Sequence, residues 1–196
     1  MAKIGFSKAK YAKITVGTDE NGNDTEQYGQ VKVFAKAISA TTSINTSKIK
    51  LYADNGVAEM ANEFMSGQLT FAGDDLEDAV EADVAGATVE DGTGAIINKD
   101  TDAPTYLRWG AIVRRIKNNV VQHRAVIFPK VMFDVPADDY ETKGENIVFK
   151  STTLTGEIMR NKDHQWRIRS AWFTTEEEAV TFLDANLAPV KAVSEE

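Results

Sequence analysis

The sequence has no cysteine and only two histidines, His123 and His164. The first absence excludes disulfide staples, thiolate metal sites and thiol catalysis. The second leaves little for imidazole acid–base chemistry or a histidine-rich metal centre. No apolar run approaches the 18 or so residues of a membrane span. Residues 1–11 hold lysines without the apolar stretch of a secretory signal, so the expectation is a chain made in the cytoplasm that meets no membrane. Catalytic signatures are missing too: no G-x-S-x-G elbow, no phosphate loop, no dinucleotide glycine fingerprint and no H-E-x-x-H. The expectation is a protein without catalytic residues, cofactor or metal. Paired carboxylates are set by geometry rather than spacing, which leaves a glycoside-cleaving arrangement open.

What is present is one domain's worth of chain, 196 residues with 42% hydrophobic and 27% charged side chains. At 21.5 kDa a compact fold exposes roughly 9,000 Å² against about 31,000 Å² for the extended chain, so a sizeable core is within reach. The net charge is −8, which argues against a surface built to wrap phosphate backbones. That total hides an alternation. Residues 1–53 carry eight basic and four acidic side chains, residues 54–102 one and thirteen, residues 103–173 twelve and seven, and residues 174–196 one and six. Such windows are either solvated faces or complementary patches through which one copy meets another.

Alternation and turn residues predict a sheet-rich chain. Residues 11–16 and 30–44 read as strands around a polar hairpin tip at residues 17–24. That tip lacks the order of acids of a calcium loop. Residues 49–52 are a short apolar piece, and Asn55-Gly56 favours a tight turn. In residues 64–71, Met65, Gly67, Leu69 and Phe71 share one face. A helix follows, capped by Asp74 or Asp75, with Leu76, Ala79, Val80 and Val84 as its apolar stripe and its later acids on the opposite face. Residues 90–104 read as a long loop. Residues 106–116 and 120–128 form a hairpin turning at Asn118-Asn119, decorated by Arg114, Arg115, Lys117 and Arg124. Trp109 lies nearby, but aromatics and charges do not interleave as a nucleic-acid stacking surface requires. Residues 130–135, 146–160 and 166–173 supply further strands, with a break at Asn161-Lys162-Asp163. A second helix opens on a capping box, Thr174 to Glu177, and buries Ala179, Phe182, Leu183 and Leu187. Residues 188–196 are a polar tail.

Several stretches taken together resemble the major tail protein, or tail tube protein, of long-tailed, non-contractile phages of Gram-positive bacteria. They are Lys36-Ala37-Ile38-Ser39-Ala40, Lys50-Leu51-Tyr52-Ala53-Asp54 with Val57-Ala58-Glu59, and Gly67-Gln68-Leu69-Thr70-Phe71 with its acidic helix. The order continues through Arg124-Ala125-Val126-Ile127-Phe128-Pro129-Lys130-Val131, Lys143-Gly144-Glu145, Leu154-Thr155-Gly156-Glu157-Ile158-Met159 and Phe173-Thr174-Thr175-Glu176-Glu177-Glu178-Ala179. The chain departs from the family pattern at residues 105–110, where a more glycine-rich strand opening is usual, and in the 90–104 loop.

The resemblance implies a single mainly β domain over residues 1–196, a β-sandwich or barrel-like tail tube fold flanked by one or two helices. Six copies would form a ring, and stacked rings a hollow tube through which the genome is ejected. Family members have no catalytic residues to carry over. The implied partners are further copies of the chain, the tape measure protein, the tail terminator and the distal tail proteins. Phage DNA would pass through the lumen without specific binding, and a lumen lined by carboxylates would let it slide. The implied location is the virion tail, assembled in the host bacterial cytoplasm. Residues 47–62 would hold the loop that reaches the next ring, with Tyr52, Ala53, Asp54, Asn55, Gly56, Val57, Ala58 and Glu59 as contacts. The 17–30 hairpin and the 188–196 tail would be intersubunit arms. Two alternatives stand beside this: the inner tube of a contractile tail or injection device, and a carbohydrate-binding β-sandwich suggested by Trp109, Trp166, Trp172 and the many acids.

Overall fold

A computed structural model describes residues 2–18, 22, 24–53, 56–137 and 151–189. In chain order the elements are β1 (Ala2–Thr18), β2 (Asp24–Tyr28), β3 (Lys32–Ala35), β4 (Ala37–Ala53), β5 (Gly56–Gly73), α1 (Asp78–Ala85), β6 (Thr88–Val89), β7 (Ile96–Ile97), β8 (Tyr106–Lys117), β9 (Val120–Phe133), β10 (Thr152–Met159), β11 (Ile168–Arg169) and α2 (Glu176–Leu187). The fold is mainly β with two flanking helices. Strands β2-β1-β8-β9-β10-β5-β4 lie side by side, all antiparallel, and β6 pairs only with β7.

The sheet rolls up because the expected 30–44 strand is split at Lys36. Before it, β3 pairs with β1 (Ala9↔Ala35, Tyr11↔Lys32). After it, β4 pairs with β5 from Ala37↔Gly73 onward. The change of partner at one residue joins the two ends of the strand order and wraps the ladder around a single core. Asp74 holds the switch. Its carboxylate accepts from the Lys36 backbone N–H at 3.1 Å, and its own N–H donates to the Lys36 carbonyl at 3.0 Å. This corrects the expectation that Asp74 or Asp75 caps the first helix. Asp75 is spent on the Leu76 N–H, and α1 starts later with Glu77 at its cap, making no side-chain bond.

Phe34 of β3 sits at the centre, its ring 5.6 Å from Tyr11, 5.1 Å from Phe71, 6.3 Å from Trp109 and 5.1 Å from Phe133. Four other strands thus meet one aromatic ring, where edge-to-face pairs stabilise beyond area burial alone. α1 covers part of this core with Val80 and Val84, joined by Leu76 just before it, while Ala79, expected in the stripe, is exposed. On the outer face, Ala179, Leu183 and Leu187 of α2 pack on Ala12, Ile112, Ala125 and Ile127. Gly110 makes room for that helix, since a Cβ there would stand 2.7 Å from Leu183 and 2.9 Å from the Val126 carbonyl oxygen.

The β8–β9 hairpin turns at Asn118 and Asn119 as expected, with φ of 50° and 61°. Further along, Leu107 faces Val131 and Trp109 faces Phe128, so Pro129 and Lys130 oppose Arg108 alone. A residue without an N–H is tolerated at such a bulge. A second bulge corrects the β5 face. Asn45 pairs with Ser66 and Thr46 with Phe64, leaving Met65 unmatched. The phase flips there, so Met65 is 65% exposed and Phe64 is buried.

Three further expectations shift. The capping box of α2 lies one residue later, where Thr175 accepts from the Glu178 N–H and donates to its carboxylate, because Thr175-x-x-Glu178 fits the pattern as well as Thr174-x-x-Glu177. The 90–104 segment contains β7, paired with β6 through Thr88↔Ile97 and Val89↔Ile96. The 166–173 strand reduces to β11 and one bridge, His123↔Phe173. Of the expected 146–160 strand, β10 is observed and residues 146–150 lie outside the described ones.

Candidate functional site

The 47–62 segment is a ladder rather than an irregular loop. β4 and β5 remain paired from Ser47↔Glu63 to Tyr52↔Val57 and Ala53↔Gly56. At about 3.4 Å per residue this ribbon runs roughly 24 Å beyond Thr46. The backbones of Tyr52, Ala53, Gly56, Val57, Ala58 and Glu59 belong to it, and Asp54 and Asn55, at the turn, lie outside the described residues. Every side chain over 48–50 and 60–63 is exposed. Ile49 and Met60 are each 59% exposed, on opposite faces. An isolated two-stranded ribbon is marginal in water, so this one needs a fixed base or a partner surface.

Its base is fixed. Phe64, turned inward by the bulge, stacks on Trp166 with centroids 4.8 Å apart and planes 7° from parallel. Arg167 lies over Trp166 at 4.4 Å and Arg160 over Phe64 at 5.7 Å, and Arg160 also donates to the Phe64 carbonyl. Cation–π contacts of this kind contribute about 0.5–2 kcal/mol each. The alternation of residues 64–71 does not reveal this stack, because it sets Phe64 on the face opposite Gly67, Leu69 and Phe71.

The 17–30 segment is a hairpin, with β1 and β2 paired from Ile14↔Tyr28 to Thr18↔Asp24, and residues 19–21 and 23 lie outside the described ones. Its root is anchored. Tyr28 donates to Glu26 at 2.9 Å under the Arg108 guanidinium at 4.9 Å, and Lys130 lies 3.7 Å from Glu26. Burial, then the Glu26 hydrogen bond, push the Tyr28 hydroxyl up to about 12. Of the tail, Ala188 and Pro189 are described and residues 190–196 are not.

The acidic helix is not uniformly solvated. Asp83 turns inward to accept from Tyr11 at 2.7 Å and Lys32 at 2.6 Å, with Lys13 at 3.0 Å. Burial pushes its carboxyl up, but hydrogen bonds from Lys32, Tyr11 and Lys13 outweigh that and hold it below its ordinary 3.8. The same contact and its own burial push Tyr11 up. This is a clamp of α1 on β1 and β3, in which Asp83 is already partnered by Tyr11, Lys13 and Lys32.

The tryptophans are also occupied. Trp109 is buried, Trp166 is stacked, and Trp172 lies under Arg115 at 3.8 Å and Arg124 at 4.4 Å. Among the described residues no three His, Asp or Glu side chains gather as a metal site, and no helix is long and apolar enough to cross a membrane.

No protein-family model matches the chain. No curated protein matches it either.

Proposed function

We propose that the chain is a structural subunit that self-assembles into the stacked hexameric rings of a phage tail tube, the conduit for genome ejection. One observation carries the reading: a paired β4–β5 ribbon extends about 24 Å beyond Thr46, with exposed side chains on both faces over residues 48–50 and 60–63. A monomer gains nothing from such a ribbon, whereas a subunit reaching the next ring gains a contact. β4 also leaves one edge unpaired over its whole length among the described residues, and edge strands of this kind template pairing with other chains. On this reading its partners are its own copies and the tape measure, terminator and distal tail proteins of a virion.

Negative-stain electron microscopy of concentrated protein, with light scattering, tests it. Rings or tubes of uniform diameter with a central hole are the expected result. Deleting residues 54–58, or Tyr52→Ala, should leave the monomer folded and stop tube growth. A parent chain that stays monomeric at all concentrations would overturn the reading.

A further inference from the structure

The rolled sheet has a split in its wall. β1 pairs with β8 from Ala2↔Ile116 to Lys13↔Leu107, but its other edge pairs only from Ala9 onward, with β3 and β2. β4, which leaves β1 at Lys36, pairs only with β5. Among the described residues two strand edges, 2–8 and 37–53, are therefore free. Beneath them lies a cleft of about 510 Å³, lined by Phe6, Ile38, Trp109 and Phe128 among other apolar groups, with Arg167 and Arg169 on its wall.

Three features say what would fill it. Trp109 is 2% exposed, yet its Nε1–H has no acceptor among the described residues. No carboxylate lines the cleft, and neither Arg167 nor Arg169 has an ion-pair partner among the described residues. Burial, and next the neighbouring Arg169, push the Arg167 guanidinium down, so the pair gains from an anion. Free backbone edges on both sides select an extended polypeptide, apolar walls select apolar side chains, and the arginines select carboxylates.

The chain itself carries a segment of that chemistry. Among the described residues the β6–β7 hairpin pairs only with itself, exposes Val89 at 42% on one face and Ile97 at 41% on the other, and presents exposed Glu90 and Asp91 beside them. We infer that the cleft between β1 and β4 receives the β6–β7 hairpin of a second copy, with Val89 and its cross-strand partner Ile96 against its apolar wall and Glu90 and Asp91 facing Arg167 and Arg169. The contact joins two different patches, so it is head-to-tail and propagates. It rests on the self-assembly reading and names the surfaces that reading leaves open.

The test uses the full chain. Arg167→Glu with Arg169→Glu, and separately Glu90→Lys with Asp91→Lys, should each raise the concentration needed for assembly at least about tenfold. Combining all four substitutions should restore it. Because the arginine variant could perturb folding through Trp166, a second readout is a thiol at the cleft rim in this cysteine-free chain. Ser39→Cys should react with a maleimide freely in dispersed protein and at least about tenfold more slowly once assembled. Assembly indifferent to both reversals, no rescue in the combined variant, or a thiol equally reactive in both states would overturn the docking while leaving the tube reading standing. A parent chain that never self-associates would overturn both.

Discussion

The β8–β9 and β4–β5 hairpins are both long antiparallel ladders, and they part company in what covers them. Over residues 107–112 every residue of β8 is buried: Leu107, Trp109 and Ala111 face the aromatic core, and Ile112 lies under α2. Over residues 48–50 of β4 and 60–63 of β5, side chains on both faces are exposed. The sequences differ accordingly. Residues 107–112 of β8 are apolar or glycine on both faces apart from Arg108, while residues 46–50 read Thr-Ser-Lys-Ile-Lys. Backbone pairing is available to almost any extended chain, but independent stability comes from what packs on the ladder. The first hairpin is stabilised by what packs on both of its faces, and the second has no such cover over residues 48–50 and 60–63.

The largest effect should come from emptying the covered region. Phe34→Ala removes the ring that four strands share, and unfolding in urea should show a loss of about 3–5 kcal/mol. Gly110→Val should follow at about 1–3 kcal/mol, since its side chain must displace Leu183 or the Val126 carbonyl, and near-ultraviolet dichroism should report α2 loosened from the sheet. At the join between the regions, Trp166→Ala removes the stack under Phe64 and should cost about 1–2 kcal/mol. Its diagnostic sign is faster amide exchange over residues 46–63 with β8 and β9 unchanged, and equal acceleration in both hairpins would erase the distinction. In the bare region, Ile49→Lys with Met60→Lys should move monomer stability by less than about 0.5 kcal/mol while blocking assembly. A marked loss of monomer stability would mean that the ribbon packs on its own body.

Protons offer a further probe of the covered side alone. Asp83 has its folded value held below the ordinary 3.8. Its contribution is therefore fully present above the unfolded value near 4 and is lost as pH falls through the lower folded value. Asp83→Asn should flatten that part of the stability profile and leave the ribbon's exchange rates unaltered.

The hairpin turn at Asn118-Asn119 was legible because two asparagines tolerate left-handed backbone, and the α2 stripe because Ala179, Leu183 and Leu187 recur at helical spacing. What stayed hidden was long-range. Nothing near Lys36 announces that the chain changes partners there, since the device that holds it is Asp74, 38 residues away. Perfect alternation across Met65 concealed a bulge fixed by the opposing strand, and with it the inward turn of Phe64. Asp83 looked like a solvated helix acid because its partners, Tyr11, Lys13 and Lys32, come from the other end of the chain. The paired form of the 47–62 segment stayed hidden because Ser, Thr and Lys hide a strand whose described side chains are mostly exposed. The cleft depends on which edges remain unpaired, a property of the whole ladder.

The switch at Lys36 has a mechanical consequence. Tension on the ribbon tip runs along β4 through Lys36 into the β3–β1 ladder, and along β5 into the β10 ladder. In both, the load lies parallel to the strands, so the cross-strand bonds are strained together in shear instead of being peeled one after another. A tether rooted in two shear-loaded ladders yields only when both fail at once, whereas a hairpin hung from a single edge would unzip.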